Sequence, residues 1–285
     1  MRTRLLLPFL LLSGCALDSG EGFAVLEPTV TASYVPVASR DAGNGFQRLA
    51  SDYQVSLGSA ALGISHVELV GGAGGGGPTT FDPANPPPGY SLCHNGHCHS
   101  DEGALVDYED IEAELGGGGS SSTLVAALHV DGELNLLAPE TTPVECEPDC
   151  ELPRTAVSRG VWEVTSVTLT GVVRDSRATP RLAQTPFRMT VVSEGGAEGE
   201  EATPLFTLAG DVEVPSDREH KPRVKLALTL EVPPTVFDGL DWAALTPGAD
   251  GVLDLGTVPN EAARKALLEE LAALKPQAEV RREDR

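Results

Sequence analysis

Apolar and polar residues alternate along much of the chain from Tyr53 onward, and a period of two is what an extended strand with one buried face requires. The clearest case runs from Arg223 to Val232. There Val224, Leu226, Leu228, Leu230 and Val232 share one face, while Lys225, Thr229 and Glu231 lie on the other. Leu205 to Val214 repeats the pattern with Phe206, Leu208, Val212 and Val214. The polar link from Pro215 to Pro222 predicts that these two strands form a hairpin. Further strands are predicted at Gln54–Gly58, Leu62–Val70, Leu124–Val130, Trp162–Arg174, Pro186–Ser193 and Val252–Leu255. Two segments carry a helical period instead. Asp107–Leu115 aligns Tyr108, Ile111 and Leu115, and Asn260–Leu274 aligns Leu267, Leu271 and Leu274 behind an N-cap at Asn260. Short strands separated by turn signals, with little helix, predict a mainly β fold: a single antiparallel β-sandwich with a short C-terminal helix.

Composition sets the expected boundaries. Residues 15–50 are small, polar and acidic, and predict a flexible tether. The sandwich domain is expected over 51–258, and 259–285 as the C-terminal helix followed by a charged, disordered tail ending Arg281-Arg282-Glu283-Asp284-Arg285. Two glycine-rich runs, 71–77 and 116–122, bracket residues 78–115 as one excursion that leaves one strand and returns to another. Neither run has the spacing of a phosphate-binding loop.

The first fifteen residues have three parts: Arg2 and Arg4, an apolar run from Leu5 to Leu12, and Ser13-Gly14-Cys15. This is the layout of a secretory signal, expected over residues 1–14, whose apolar run is too short to span a bilayer. The tetrapeptide Leu12-Ser13-Gly14-Cys15 resembles the lipobox of bacterial lipoproteins. That resemblance implies cleavage before Cys15 and acylation of Cys15, palmitate included, which makes a stable membrane anchor. It also implies sorting to the outer membrane, since Ala16 and not Asp follows the cysteine; whether the periplasmic or the surface face is meant stays open. Loss of Arg2 and Arg4 with the leader takes the formal charge from −22 to −24. A chain so acidic is repelled by nucleic acid and by anionic lipid, so neither is an expected partner.

Export places the remaining cysteines in an oxidising compartment, where an even number points to two disulfides among Cys93, Cys98, Cys146 and Cys150. Local pairing, 93–98 with 146–150, is favoured over the crossed arrangements on the geometry of the Cys/His segment. The heptapeptide Cys93-His94-Asn95-Gly96-His97-Cys98-His99 holds three of the six histidines and reads in three ways. Cys93-x4-Cys98-His99 is similar to a longer-spaced variant of the c-type haem site. The resemblance implies haem attachment at Cys93 and Cys98 with His99 as axial ligand, His66 or His129 completing the iron, and electron transfer as the role. The second reading starts from Asn95-Gly96, the preferred pair of a two-residue hairpin turn. It sets His94 opposite His97, places Cys93 and Cys98 within bridging reach, and puts His94, His97 and His99 on one face. Three imidazoles suit zinc or copper, with water, His66, His129 or Asp101 completing the shell. The third reading is a disulfide-closed turn with solvent-exposed histidines.

His66 and His129 fall on the polar faces of their strands, and if those strands are neighbours both imidazoles lie near the base of the excursion. The carboxylates around 107–115 lack calcium-loop spacing. Asp217-Arg218-Glu219-His220 reads as a charged turn, and Trp242 as core. Gly-x-Ser-x-Gly and His-Glu-x-x-His are both absent from the sequence. The expectation is therefore a cell-envelope lipoprotein that is a binding or structural component and not an enzyme, with a transition-metal site on its His-rich hairpin as the sharpest reading. The alternatives are a single-haem electron carrier and an adhesive or scaffolding protein without cofactor that contacts another envelope protein.

Overall fold

The computed structural model describes residues 24–71, 90–94, 97–100, 105–107, 123–152, 157–193, 195, 203–215 and 222–283. The leader with Cys15, the glycine-rich runs apart from Gly71, residues 108–115 of the expected first helix, Asp101 and the 217–220 turn lie outside the described residues. In chain order the strands are β1 (Ala24–Tyr34), β2 (Gln47–Arg48), β3 (Tyr53–Gly71), β4 (Tyr90–His94), β5 (His97–Ser100), β6 (Leu105–Asp107), β7 (Thr123–His129), β8 (Glu133–Asn135) and β9 (Thr142–Pro143). They continue as β10 (Glu145–Glu147), β11 (Glu151–Leu152), β12 (Arg159–Asp175), β13 (Thr185–Val192), β14 (Phe206–Asp211), β15 (Arg223–Val232), β16 (Leu253–Asp254) and β17 (Gln277–Glu283), with helix α1 (Glu261–Ala272) before the last.

The fold is mainly β, as the alternation predicts. A nine-stranded sheet runs β10-β7-β3-β12-β13-β16, with β2 and β8 also on β3 and β14 also on β12. A five-stranded sheet runs β11-β1-β15-β17, with β9 on β1. The inward residues of both sheets build one hydrophobic cluster, to which Leu26, Val30, Leu226 and Leu228 contribute from the smaller sheet and Val67, Trp162, Val164 and Leu169 from the larger. That shared core is what makes the two layers a sandwich. The sheets are mixed, not wholly antiparallel: β1 runs parallel to β15 from Val25↔Arg223 to Tyr34↔Val232, and β16 parallel to β13. Strands β4, β5 and β6 form a separate three-stranded sheet within the excursion.

Four expectations are corrected. Residues 24–34, expected within the tether, are a central strand whose Leu26, Val30 and Ala32 are buried. Their Ala/Val/Thr composition reads as polar and small, yet it fits the narrow space between two layers. Residues 38–50 are also fastened: Arg40 makes a two-pronged pair with Asp238 at 2.6 and 2.9 Å, and the Ala50 N–H donates to the same carboxylate at 2.7 Å. The proposed β14–β15 hairpin does not form, because β14 pairs with β12 and β15 with β1 and β17, in different sheets. The expected disordered tail is β17, whose Arg281 lies opposite Lys225. The two sheets approach closely where Gly210 of β14 meets Pro276, since a Cβ there would sit 2.3 Å from the Pro276 carbonyl oxygen.

The helix lies within its predicted span, burying Leu267 and Leu271. Asn260 stands at its N-cap position without capping it. Its buried amide instead accepts from Thr246 N–H at 2.8 Å and donates to the carbonyls of Thr246 and Asp254, each at 2.9 Å. Trp242 is core as expected, packed against Phe187 with ring centroids 4.9 Å apart. Among the described residues no helix is long and apolar enough to cross a membrane.

A buried carboxylate closes the turn after β12. Asp175 accepts from the Arg177 N–H at 3.0 Å, the Arg181 N–H at 2.8 Å and the Arg177 guanidinium at 2.8 Å. Burial alone raises its pKa, but the two N–H bonds and both arginine charges outweigh that and hold it below the ordinary carboxylate value. A lowered folded-state pKa means stability that is complete above the unfolded value of about 3.9 and is lost as pH falls through the lower folded value. Asp175→Asn should therefore unfold at lower urea than the parent at pH 7, with the gap shrinking as both are acidified below the unfolded value of about 3.9. A gap independent of pH in paired urea titrations would count against this role.

Candidate functional site

The functional geometry starts with a defect in the β3–β12 ladder. Between the pairs Val67↔Trp162 and Ile64↔Val164, β3 carries one residue more than β12, so Ser65 and His66 both stand opposite Glu163. A β-bulge of this kind re-aims side chains locally. A second irregularity, with the extra residue Thr165 on β12 between Val164 and Ser166, restores the pairing. Its tight contact needs a glycine: a Cβ on Gly63 would lie 2.4 Å from the Ser166 hydroxyl. The core residues Val67, Leu69 and Ile64 stay buried on either side of the bulge, while His66, Glu68 and Glu163 gather on the other face.

His66 Nε2 lies 3.6 Å from Glu163 Oε2 and 3.8 Å from Glu68 Oε1. One ligand atom from each of the three residues lies within 4.8 Å of the others. His66 is only 8% exposed, and its imidazole makes no hydrogen bond among the described residues. The distances exceed a hydrogen bond. They are close to the ~3.3 Å that separates neighbouring ligand atoms on a tetrahedral zinc ion with bonds of about 2.05 Å. Imidazole with two carboxylates is a donor set for a borderline divalent metal such as zinc, and less apt for calcium or magnesium, which favour oxygen throughout. Ser65 borders the group, donating to Glu163 Oε2 at 3.4 Å.

His129 stands directly opposite His66 across the β3–β7 pairing, with ring centroids 6.3 Å apart. The strands are thus neighbours, as the sequence reading required for the two imidazoles to meet. Two details differ. His66 lies on the polar face as expected but is only 8% exposed, whereas His129 is exposed. The pair also lies at the end of the β3–β7 ladder away from the excursion, which departs at Gly71↔Thr123. His129 Nε2 is hydrogen-bonded to Glu147 Oε2 at 2.7 Å.

Both local disulfides form, Cys93–Cys98 and Cys146–Cys150, as favoured from sequence. The first spans a hairpin in which His94 pairs with His97, as the Asn95-Gly96 turn predicts, although an irregularity between Ser91 and His94 adds a residue on β4 beside Cys93. Cys98 is buried in a small cluster with Tyr90, Cys93 and Val106. The third strand sets Asp107 opposite His97 and Leu105 opposite His99, so His94, His97 and Asp107 stand at one level of three strands. Asp107 is thereby a strand residue and not the start of a helix. The haem reading needs both Cys93 and Cys98 as thioethers with His99 on iron, whereas the structure uses both sulfurs in a disulfide. The second bridge closes the turn that follows β10 and so holds the strand carrying Glu147.

The alternation within Leu62–Val70 puts Glu68 on the face of His66, whereas neither Glu163 nor Glu147 was singled out from sequence. The outward phase of Glu163 within its predicted strand was visible; the bulge that brings it to His66 has no local signature. No family model, curated protein or solved structure matches this chain.

If both bridges form, the denatured but unreduced chain from Ala16 onward should show no reactive thiol, and four after reduction, by thiol titration with mass spectrometry. A mass increment of haem on the 93–99 peptide, or free thiols before reduction, would contradict the pairing.

Proposed function

We propose that this chain is a lipid-anchored, non-catalytic component of a bacterial cell envelope that holds a transition metal, zinc or copper, on the outer face of its large sheet. The observation that carries the metal is His66, only 8% exposed, whose imidazole makes no hydrogen bond among the described residues and is flanked by Glu163 and Glu68 at 3.6 and 3.8 Å. The imidazole faces two carboxylates from beyond hydrogen-bond distance, and an ion between them would satisfy the imidazole and both carboxylates together. Export is supported by Arg2, Arg4, the Leu5–Leu12 run and the Leu12-Ser13-Gly14-Cys15 tetrapeptide, and two disulfides fit an oxidising compartment. Ala16 after Cys15 favours the outer membrane. The sequence offers neither a nucleophile elbow nor a zincin motif, so the role is read as binding or structural.

A second metal locus has its own observation. The register that levels His94, His97 and Asp107 across three strands supports the hairpin with His99 as a zinc or copper site. The two loci separate by mutation. After chelation and reloading with one equivalent of zinc, the parent should retain metal through gel filtration by elemental analysis. Glu68→Gln with Glu163→Gln should weaken retention about tenfold or more if the bulge site is the holder; replacement of His94, His97 and His99 by Ala should do so if the hairpin is. Unchanged stoichiometry in both would sink the metal reading and leave the scaffolding role.

Anchoring is tested independently. In a bacterial host, labelled palmitate should be incorporated into the parent and not into Cys15→Ala, and the variant should leave the membrane fraction. Label retained in Cys15→Ala would refute the anchor.

A further inference from the structure

Resting on the metal reading above, we propose that His129 is the fourth protein ligand of the ion held by His66, Glu68 and Glu163, and that it is taken from Glu147 when the metal binds. His66 and His129 are a directly opposed pair on antiparallel strands, a placement that holds Cβ atoms about 5 Å apart. Two imidazoles sharing one tetrahedral zinc have ring centroids about 5 Å apart given bonds of about 2.05 Å. The observed 6.3 Å therefore needs a movement of roughly 1 Å, within reach of a side-chain rotation.

What His129 must give up is weak. Its bond to Glu147 joins side chains that are 46% and 71% exposed, and exposed pairs of this kind contribute little. The backbone at Glu147 is nevertheless held beside His129, because β10 is paired to β7 and the Cys146–Cys150 bridge closes the turn beyond it. The carboxylate thus acts as a parking position for the imidazole beside the site. The assembled set, two imidazoles and two carboxylates, fits zinc or copper in four-coordination and supplies too few oxygens for calcium or magnesium.

The test uses the mature chain with His94, His97 and His99 replaced by Ala, so that the hairpin contributes no signal. Pulsed electron paramagnetic resonance on the copper(II)-loaded protein counts coordinated imidazoles, and competition with a chromophoric chelator gives zinc affinity. Two imidazoles are expected in this background. One is expected after His129→Ala, with zinc affinity lower by at least about tenfold, the lower end of what even an outer partner of a ligand is worth. Glu147→Gln should keep two imidazoles and bind zinc as tightly or somewhat more tightly, and millimolar calcium should not displace zinc. A single imidazole in the background, an unchanged affinity in His129→Ala, or displacement by calcium would overturn the assignment of His129. In those cases a loss of binding in Glu68→Gln with Glu163→Gln would show that the three-residue site still stands. Full zinc affinity in that double variant would mean that the metal reading itself had failed.

Discussion

The antiparallel ladder between β3 and β12 is the constraint on which the rest of the molecule depends. It runs from Val70↔Arg159 to Tyr53↔Asp175, and its two strands carry much of the inward face of the large sheet, including Tyr53, Val55, Val67, Leu69, Trp162, Val164 and Val173. Every other strand of the large sheet pairs directly with one of these two, except β10 and β16, which pair with β7 and β13. A uniform ladder would present a polar outer face with no reason for any group to converge. The bulge at Ser65-His66 changes that, since two residues of β3 share the single partner Glu163. The geometry that builds the core and the geometry that gathers His66, Glu68 and Glu163 are therefore one feature, and the compensating irregularity at Thr165 lets the remainder of the sheet keep its inward alternation.

The small sheet closes the core by different means. Its central pair, β1 and β15, is parallel and comes from nearly opposite ends of the chain, so the layer assembles only when distant segments meet. Contacts of that kind are costly in chain entropy before they reward burial. The fastening of Arg40 to Asp238, the Asn260 clasp on Thr246 and Asp254, and the Asp175 turn all join segments through buried or partly buried polar groups with matched partners. Each fixes a connection that apolar contact alone leaves undirected.

Much of this was legible in the sequence where strands obey strict alternation. Arg223–Val232 is β15 residue for residue, and Leu124–Val130, Trp162–Arg174 and Pro186–Ser193 fall on β7, β12 and β13. Gln54–Gly58 and Leu62–Val70 are one strand, β3, split in the reading because Gly58-Ser59-Ala60 breaks the apolar rhythm at a bulge. β1 was missed because its buried positions include Ala24 and Ala32 as well as Leu and Val, and small residues give a weak signal. β17 was missed because Arg281, Arg282 and Glu283 look like a tail, although opposite charges across to Lys225 suit an edge strand. The site followed the same rule. His66 and His129 were legible as residues and their opposition as a condition, but Glu163 reaches them through a bulge, and long-range register is not written in local pattern.

The central claim is that this bulge positions a metal-binding group on an otherwise ordinary sheet face. Anomalous diffraction at the zinc absorption edge, from crystals of the mature protein grown with equimolar zinc, tests it most directly. The account predicts a peak about 2 Å from His66 Nε2 and from one oxygen each of Glu68 and Glu163. Zinc density confined to other positions, with His66 still facing the two carboxylates and no ion between them, would contradict it.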